Sequence, residues 1–188
     1  GRINGRFVRR NGRWREPEAG VKMPSRGAVR LYTGARPGCP AWVETFERRF
    51  RVPAPVERVR AFHAGPAALK ALTPPPMFVQ LHRFGALEEG MIAEFTLWLG
   101  PLPIRWTARH EDVGPNGFVD AQVAGPMAHW RHTHRFDPVS EGETEVVDRV
   151  EYAHPEGPRG LWTRVLFAKP GLHGLFTYRA WATRRGCR

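Results

Sequence analysis

From Trp42 onward apolar and polar side chains alternate in short runs, each cut by proline or glycine. Residues 44–52 read as a strand that stops at Pro53-Ala54-Pro55. The period then turns helical: Val56, Val59, Arg60, Phe62 and His63 recur at three-to-four spacing behind Pro55, a good first-turn residue, and Gly65-Pro66 closes the helix. A second short helix is predicted over residues 67–72, and Pro74-Pro75-Pro76 forbids its continuation. Six further strands follow over residues 78–83, 91–99, 104–111, 118–123, 128–136 and 146–153, joined by linkers short enough for antiparallel hairpins. The last helical stretch starts near Pro158. It carries Leu161, Trp162, Val165 and Leu166 on one stripe and Leu172, Leu175 and Phe176 beyond a kink or split at Pro170-Gly171.

This order of elements predicts an α+β domain: a curved antiparallel β-sheet wrapped around a long C-terminal helix, with two short helices after the first strand. Curvature leaves space between sheet and helix, and a concave apolar wall with a few converging polar groups is what small-molecule sites are made of.

Strand parity says which side chains face that space. In residues 128–136 the even positions are Ala128, Trp130, His132, His134 and Phe136, so two histidines sit on the face that buries aromatics. Each needs a partner there. Phe118, Asp120 and Gln122 share a parity on the preceding strand, and Asp148, Val150 and Tyr152 share one on the following strand. These positions offer carboxylates and a phenol to the histidines. Met91, Ala93, Phe95, Leu97 and Leu99, with Ile104, Trp106, Ala108 and His110, supply wall material, and Arg105, Thr107 and Arg109 face the other way. Three readings of the His132, His134, Asp120 group stay open: a catalytic acid/base pair oriented by Asp120 or Asp148, a satisfied polar network that pins strand register, and a His-x-His metal site with His110 as a weak third ligand. No metal and no cofactor is assigned. The sequence has no Gly-rich phosphate loop, no Gly-x-Ser-x-Gly elbow and no cysteine nucleophile with a spaced histidine, so hydrolase and nucleotide-dependent readings lose their support.

Composition changes the picture in two places. The 188 residues are 41% hydrophobic with seven Trp and eleven Phe, enough for the core of one domain and against wholesale disorder. The net charge of +11 invites a nucleic-acid reading, but its distribution is lopsided: ten Lys or Arg stand against two Glu in residues 1–42, and nineteen against sixteen in the rest. Residues 1–41 thus predict a basic Arg/Gly/Pro-rich flexible arm capable of weak contact with acidic surfaces, and residues 42–188 a ligand-binding domain. No nucleic-acid-binding module follows the arm, so no specific nucleic-acid partner is expected. No transmembrane segment is predicted, the Arg-rich start lacks the apolar run of a secretory signal, and the expected compartment is the cytoplasm. Cys39 and Cys187 are too few for a disulfide framework or a cysteine zinc site.

One run of residues resembles a known group. Phe118-x-Asp120-x-Gln122-x-x-Gly125-Pro126, then Trp130-x-His132-x-His134-x-Phe136, then Asp148-x-Val150-x-Tyr152-x-x-Pro155-x-Gly157 resemble the SRPBCC superfamily, in particular its START-related, polyketide cyclase/dehydrase-like branch. Phe50-x-Val52-Pro53-Ala54-Pro55, Leu72-Thr73-Pro74-Pro75, Arg105-Trp106 and Phe176-x-Tyr178-Arg179 fit the same pattern, which covers about residues 43–183. The resemblance implies a helix-grip fold, with the C-terminal helix held over a deep hydrophobic cavity. It also implies binding of a lipid, polyketide, quinone or similar apolar molecule, with Asp120, Gln122, Trp130, His132, His134, Asp148 and Tyr152 as cavity or network residues. The expected function is therefore binding of a small hydrophobic or aromatic ligand through Phe95, Trp106, Phe118, Gln122, Trp130, Phe136, Asp148 and Tyr152. One alternative is a polyketide cyclase/dehydratase-type enzyme, with His132 or His134 as base and Tyr152 or Arg105 as oxyanion partner. The other is a nucleic-acid or membrane-surface adaptor working through the arm.

Overall fold

The computed structural model describes residues 42–188 and, in a separate unit, the backbone of two short strands, β1 (Val8–Arg10) and β2 (Arg13–Arg15), which pair antiparallel. The rest of the basic arm lies outside the described residues, and with it Cys39, the expected flexibility and the expected surface contacts.

Seven strands form one antiparallel sheet: β3 (Glu44–Val52), β4 (Met77–Arg83), β5 (Ile92–Leu99), β6 (Leu102–Gly114), β7 (Gly117–Ala124), β8 (His129–Ser140) and β9 (Glu143–Ala153). Their spatial order is β3-β9-β8-β7-β6-β5-β4. Five consecutive hairpins run from β4 to β9, and β3 returns to pair with β9, Glu44 opposite Tyr152 and Val52 opposite Thr144. Two short helices, α1 (Val56–Ala64) and α2 (Pro66–Ala71), carry the chain from β3 to the far edge of the sheet. Irregularities of register at Leu81/Arg83, Thr107/Ala108, Glu111/Gly114 and Pro138/Ser140 insert the extra residues that bend strands and curve a sheet. β6 and the β8–β9 hairpin run longer than alternation predicts. Pro138, Val139 and Ser140 at the β8 tip are exposed, so no apolar period marks them.

The C-terminal helix is split into α3 (Pro158–Phe167) and α4 (Lys169–Gly186). The break falls at Ala168, which is extended at φ −69° and ψ 165°, and Pro170 sits in the first turn of α4, where its missing N–H costs nothing. At this corner the backbone of Gly171 passes so close to the Leu166 carbonyl that a Cβ would collide with it.

Two apolar clusters join helices to sheet. One packs Ile104, Trp106, Trp130, Val150 and Tyr152 of the sheet against Phe167, Leu172 and Phe176 of the two last helices. The other packs Phe50, Val52, Phe118, Phe136 and Val146 against Val59 of α1 and Ala180 of α4. No described helix is long and apolar enough to cross a membrane.

Candidate functional site

Between the sheet and the helices lies a cavity of about 260 Å³. An apolar cavity of roughly 150 Å³ takes up benzene, so this one has room for a larger ring system. Its wall is aromatic. The Phe95 and Trp106 rings stack at 6.2 Å, Trp130 meets Trp106 edge-on at 5.4 Å, and Phe167 closes on Trp130 at 5.7 Å. Leu166 and Leu175 line the cavity from α3 and α4, Leu72 from the end of α2 and Met77 from the start of β4.

The opposite end is polar. Asp120 accepts a hydrogen bond from His110 Nδ1 at 2.7 Å on one oxygen and from His134 Nε2 at 3.2 Å on the other. His132 Nε2 donates to Asp148 Oδ1 at 3.0 Å. His134 Nδ1 lies 3.0 Å from that same oxygen, close enough for an ion pair but too poorly aligned for a hydrogen bond. The five groups form one chain across four strands, β6 to β9, with the β7 and β9 carboxylates on either side of the β8 histidines. His63 of α1 joins it from the helix side. Its Nδ1 donates to the Val59 carbonyl at 2.8 Å, and its ring lies 5.9 Å from that of His134.

Burial and mutual charge set the protonation of this chain. Burial alone would raise both aspartates, but the hydrogen bonds from His110 and His134 to Asp120, and the hydrogen bond from His132 to Asp148 with the charge of His134 beside it, overcome that and hold both well below the usual carboxylate range. Part of the Asp120 side chain, 29%, stays accessible, and the residue lines the cavity. At His134 burial favours the neutral ring, yet the two aspartates outweigh it and the pKa is raised. His132 and His63 go the other way. Burial, reinforced by the charge of His134, pushes each down to about 4. Of the neighbouring rings His134 therefore holds a proton most readily. Near neutral pH His132 is neutral, and with Nε2–H committed to Asp148 its lone pair is on Nδ1.

The sequence-derived site residues divide by position. Phe95, Trp106, Phe118, Asp120, Trp130, His132 and His134 line the cavity. Gln122, Phe136, Asp148 and Tyr152 share the predicted parity but stand behind the lining or beyond its ends. The Gln122 amide donates to the Met127 carbonyl at 2.8 Å and closes the β7–β8 turn. Phe136 is wholly buried in the second apolar cluster, and Asp148 lies beneath the histidines at 2% exposure. Tyr152 gives its hydroxyl to Glu44 at 3.2 Å, at the β3 edge, and burial there pushes its pKa up to about 12. Arg105 lies on the outer face with Gln80, Thr96 and Trp98. Neither Tyr152 nor Arg105 is placed to receive an oxyanion in this cavity, because register and sheet face, not parity alone, decide what a side chain reaches.

Arg179 of α4 lines the cavity instead. The sequence shows it only as part of a family pattern, and His63 only as a helix position; their arrival at the polar end depends on the angle at which the helices cross the sheet. Asp120, His132 and His134 also bring potential metal-ligating atoms within 4.8 Å of one another. An ion there would compete with the His134–Asp120 contact, whereas the His132–Asp148 bond leaves Nδ1 of His132 free.

No protein-family model matches the sequence, and no curated protein matches it significantly. Solved structures do match. The Zhui aromatase/cyclase of a Streptomyces species is 18% identical with a TM-score of 0.53, over 77% of this chain and 91% of that one. Norcoclaurine synthase of Thalictrum flavum is 16% identical with a TM-score of 0.57, over 77% and 94%. A protein of Chromobacterium violaceum is 17% identical with a TM-score of 0.58, over 74% and 97%. The likeness extends to the fold: the chain has the helix-grip fold that its sequence motifs imply.

Proposed function

We propose that this helix-grip protein binds a small hydrophobic, ring-bearing molecule in the cavity between its sheet and its last two helices, with the cytoplasm as its working compartment. The observation that carries this reading is the open 260 Å³ volume behind an aromatic wall, in a core that close packing would otherwise fill. Apolar area buried at about 25 cal/mol per Å² supplies the affinity, and the His/Asp chain at one end supplies direction. Phe95, Trp106 and Trp130 offer flat faces to a guest ring.

The test uses N-phenyl-1-naphthylamine, whose fluorescence rises on leaving water. It is expected to bind the intact protein with micromolar affinity. Ala108→Phe, which puts a ring where a buried methyl now faces the cavity, is expected to weaken binding at least about tenfold while circular dichroism stays unchanged. Equal binding by the two proteins would place the dye elsewhere and remove the reading. Native mass spectrometry of the purified protein, searching for a co-purifying small molecule, addresses the natural ligand directly.

A second reading is favoured by one observation, the neutral His132 with its Nδ1 lone pair beside the cavity. Such a ring is a competent general base at neutral pH, and protonated His134 beside it could return a proton, the pairing a cyclisation or dehydration needs. The two readings part on the double variant His132→Gln/His134→Gln. A binding protein keeps its dye affinity and has no turnover to lose, whereas an enzyme keeps its affinity and loses turnover of a poly-β-keto thioester probe.

A further inference from the structure

Arg179 is the group the polar chain leaves over. Its guanidinium lies over the Phe176 ring at 5.4 Å, and its Nε is buried without a hydrogen-bond partner. Asp120 and Asp148 act on it only through space. The last two helices supply no anion either, since residues 157–188 contain no Asp or Glu. A buried N–H donor without an acceptor is costly and is seldom kept unless something else supplies the acceptor. Arg179 lines the cavity together with His63, His132 and Asp120, so the space in front of it is the ligand's.

Resting on the binding function proposed above, we propose that Arg179 is a specificity-determining residue that selects, among apolar ring compounds, those carrying a neutral carbonyl oxygen at the end that lies against α4, and that disfavours the corresponding carboxylates. The preference for a neutral oxygen follows from the local charges. Asp120 and Asp148 already face Arg179 and His134, so the end holds its own anions before a ligand arrives. A carboxylate would add a further negative charge beside Asp120, which lines the same cavity. A ketone or aldehyde oxygen accepts from the guanidinium and adds no charge, and a charge-assisted bond of this kind is stronger than one between neutral groups.

The experiment compares three ligands of nearly equal size by calorimetry: 2-acetylnaphthalene, 2-ethylnaphthalene and 2-naphthoate. The native protein is expected to bind the ketone about tenfold more tightly than the hydrocarbon, and the carboxylate most weakly. Arg179→Met is expected to bind the hydrocarbon as before and to lose the preference for the ketone, with Arg179→Lys restoring part of it. Equal affinity of the native protein for ketone and hydrocarbon overturns the inference while leaving the binding function standing, and so does tightest binding of the naphthoate. Failure of 2-ethylnaphthalene to bind at all overturns the binding function, and the inference with it. The native-protein series decides the matter even if Arg179→Met does not fold.

Discussion

Asp148 is the side chain on which the polar chain depends. It is almost completely buried, takes the His132 hydrogen bond and stands beside the His134 ring, which holds a proton most readily. Removing it leaves that ring, when protonated, without its nearer counter-charge. Asp148→Ala is therefore expected to cost about 3 kcal/mol in urea denaturation and to lower the His134 pKa in a proton NMR titration. The histidines also set a pH dependence. His63 and His132 titrate near 4 in the folded protein and near 6.5 when unfolded, so between these values the unfolded chain binds the extra protons. Their contribution is complete above pH 6.5 and is lost as pH falls towards 4, at roughly 1.4 kcal/mol per group per pH unit. His134 has the opposite sign: its raised pKa gives a contribution that is complete below pH 6.5 and fades as pH rises through the folded value. The two aspartates, depressed on folding, add a further loss below about pH 3.8. Stability measured against urea from pH 7 to 4 is expected to decline, and His63→Gln is expected to flatten part of that decline.

Two connections between elements carry consequences of their own. At the α3–α4 corner the Leu166 carbonyl occupies the place of a Cβ on Gly171, and both residues line the cavity. Gly171→Ala must push the helices apart and is expected to lower stability by about 2 kcal/mol in thermal unfolding, with weaker dye binding because the cavity wall moves. At the β7–β8 turn, Gln122 bonds both the N–H and the carbonyl of Met127, at 3.3 and 2.8 Å. Gln122→Ala is expected to cost about 1 kcal/mol while leaving dye affinity unchanged, which is the signature of a turn clamp rather than a lining residue.

For the molecule as a whole, the cavity divides a core that would otherwise be continuous, and the polar chain lies between the two apolar clusters: Phe176 of one touches His132 at 5.1 Å, and Phe118 of the other stacks on His134 at 4.4 Å. An occupant that fills the cavity binds only the folded form. At a ligand concentration one hundred times the dissociation constant the stabilisation is about 2.7 kcal/mol, or a rise in Tm of roughly 5–10 °C for a chain of this size. Ala108→Phe is expected to abolish the rise, and a naphthyl ligand that leaves the native Tm unmoved would count against the cavity as a site.

What the sequence determined by itself is whatever local covalent geometry fixes. Alternation placed the strands, proline and glycine placed their ends, and the two-residue period put Trp130, His132, His134 and Phe136 on one face, where all four are buried. The tertiary structure decided what those faces meet. Parity cannot tell that Asp120 bridges two histidines while Asp148 lies under them, because cross-strand partners are set by register, which the long-range return of β3 to β9 and the bulges along the sheet control. The same residues that parity groups together were separated by depth: Phe118 lines the space, and Phe136 is sealed in the core. Arg179 and His63 reach the site only because of the angles at which α4 and α1 cross a curved sheet, a property of packing among residues far apart in sequence. Sequence thus specified the wall and its chemistry, and packing specified which donor was left without a partner.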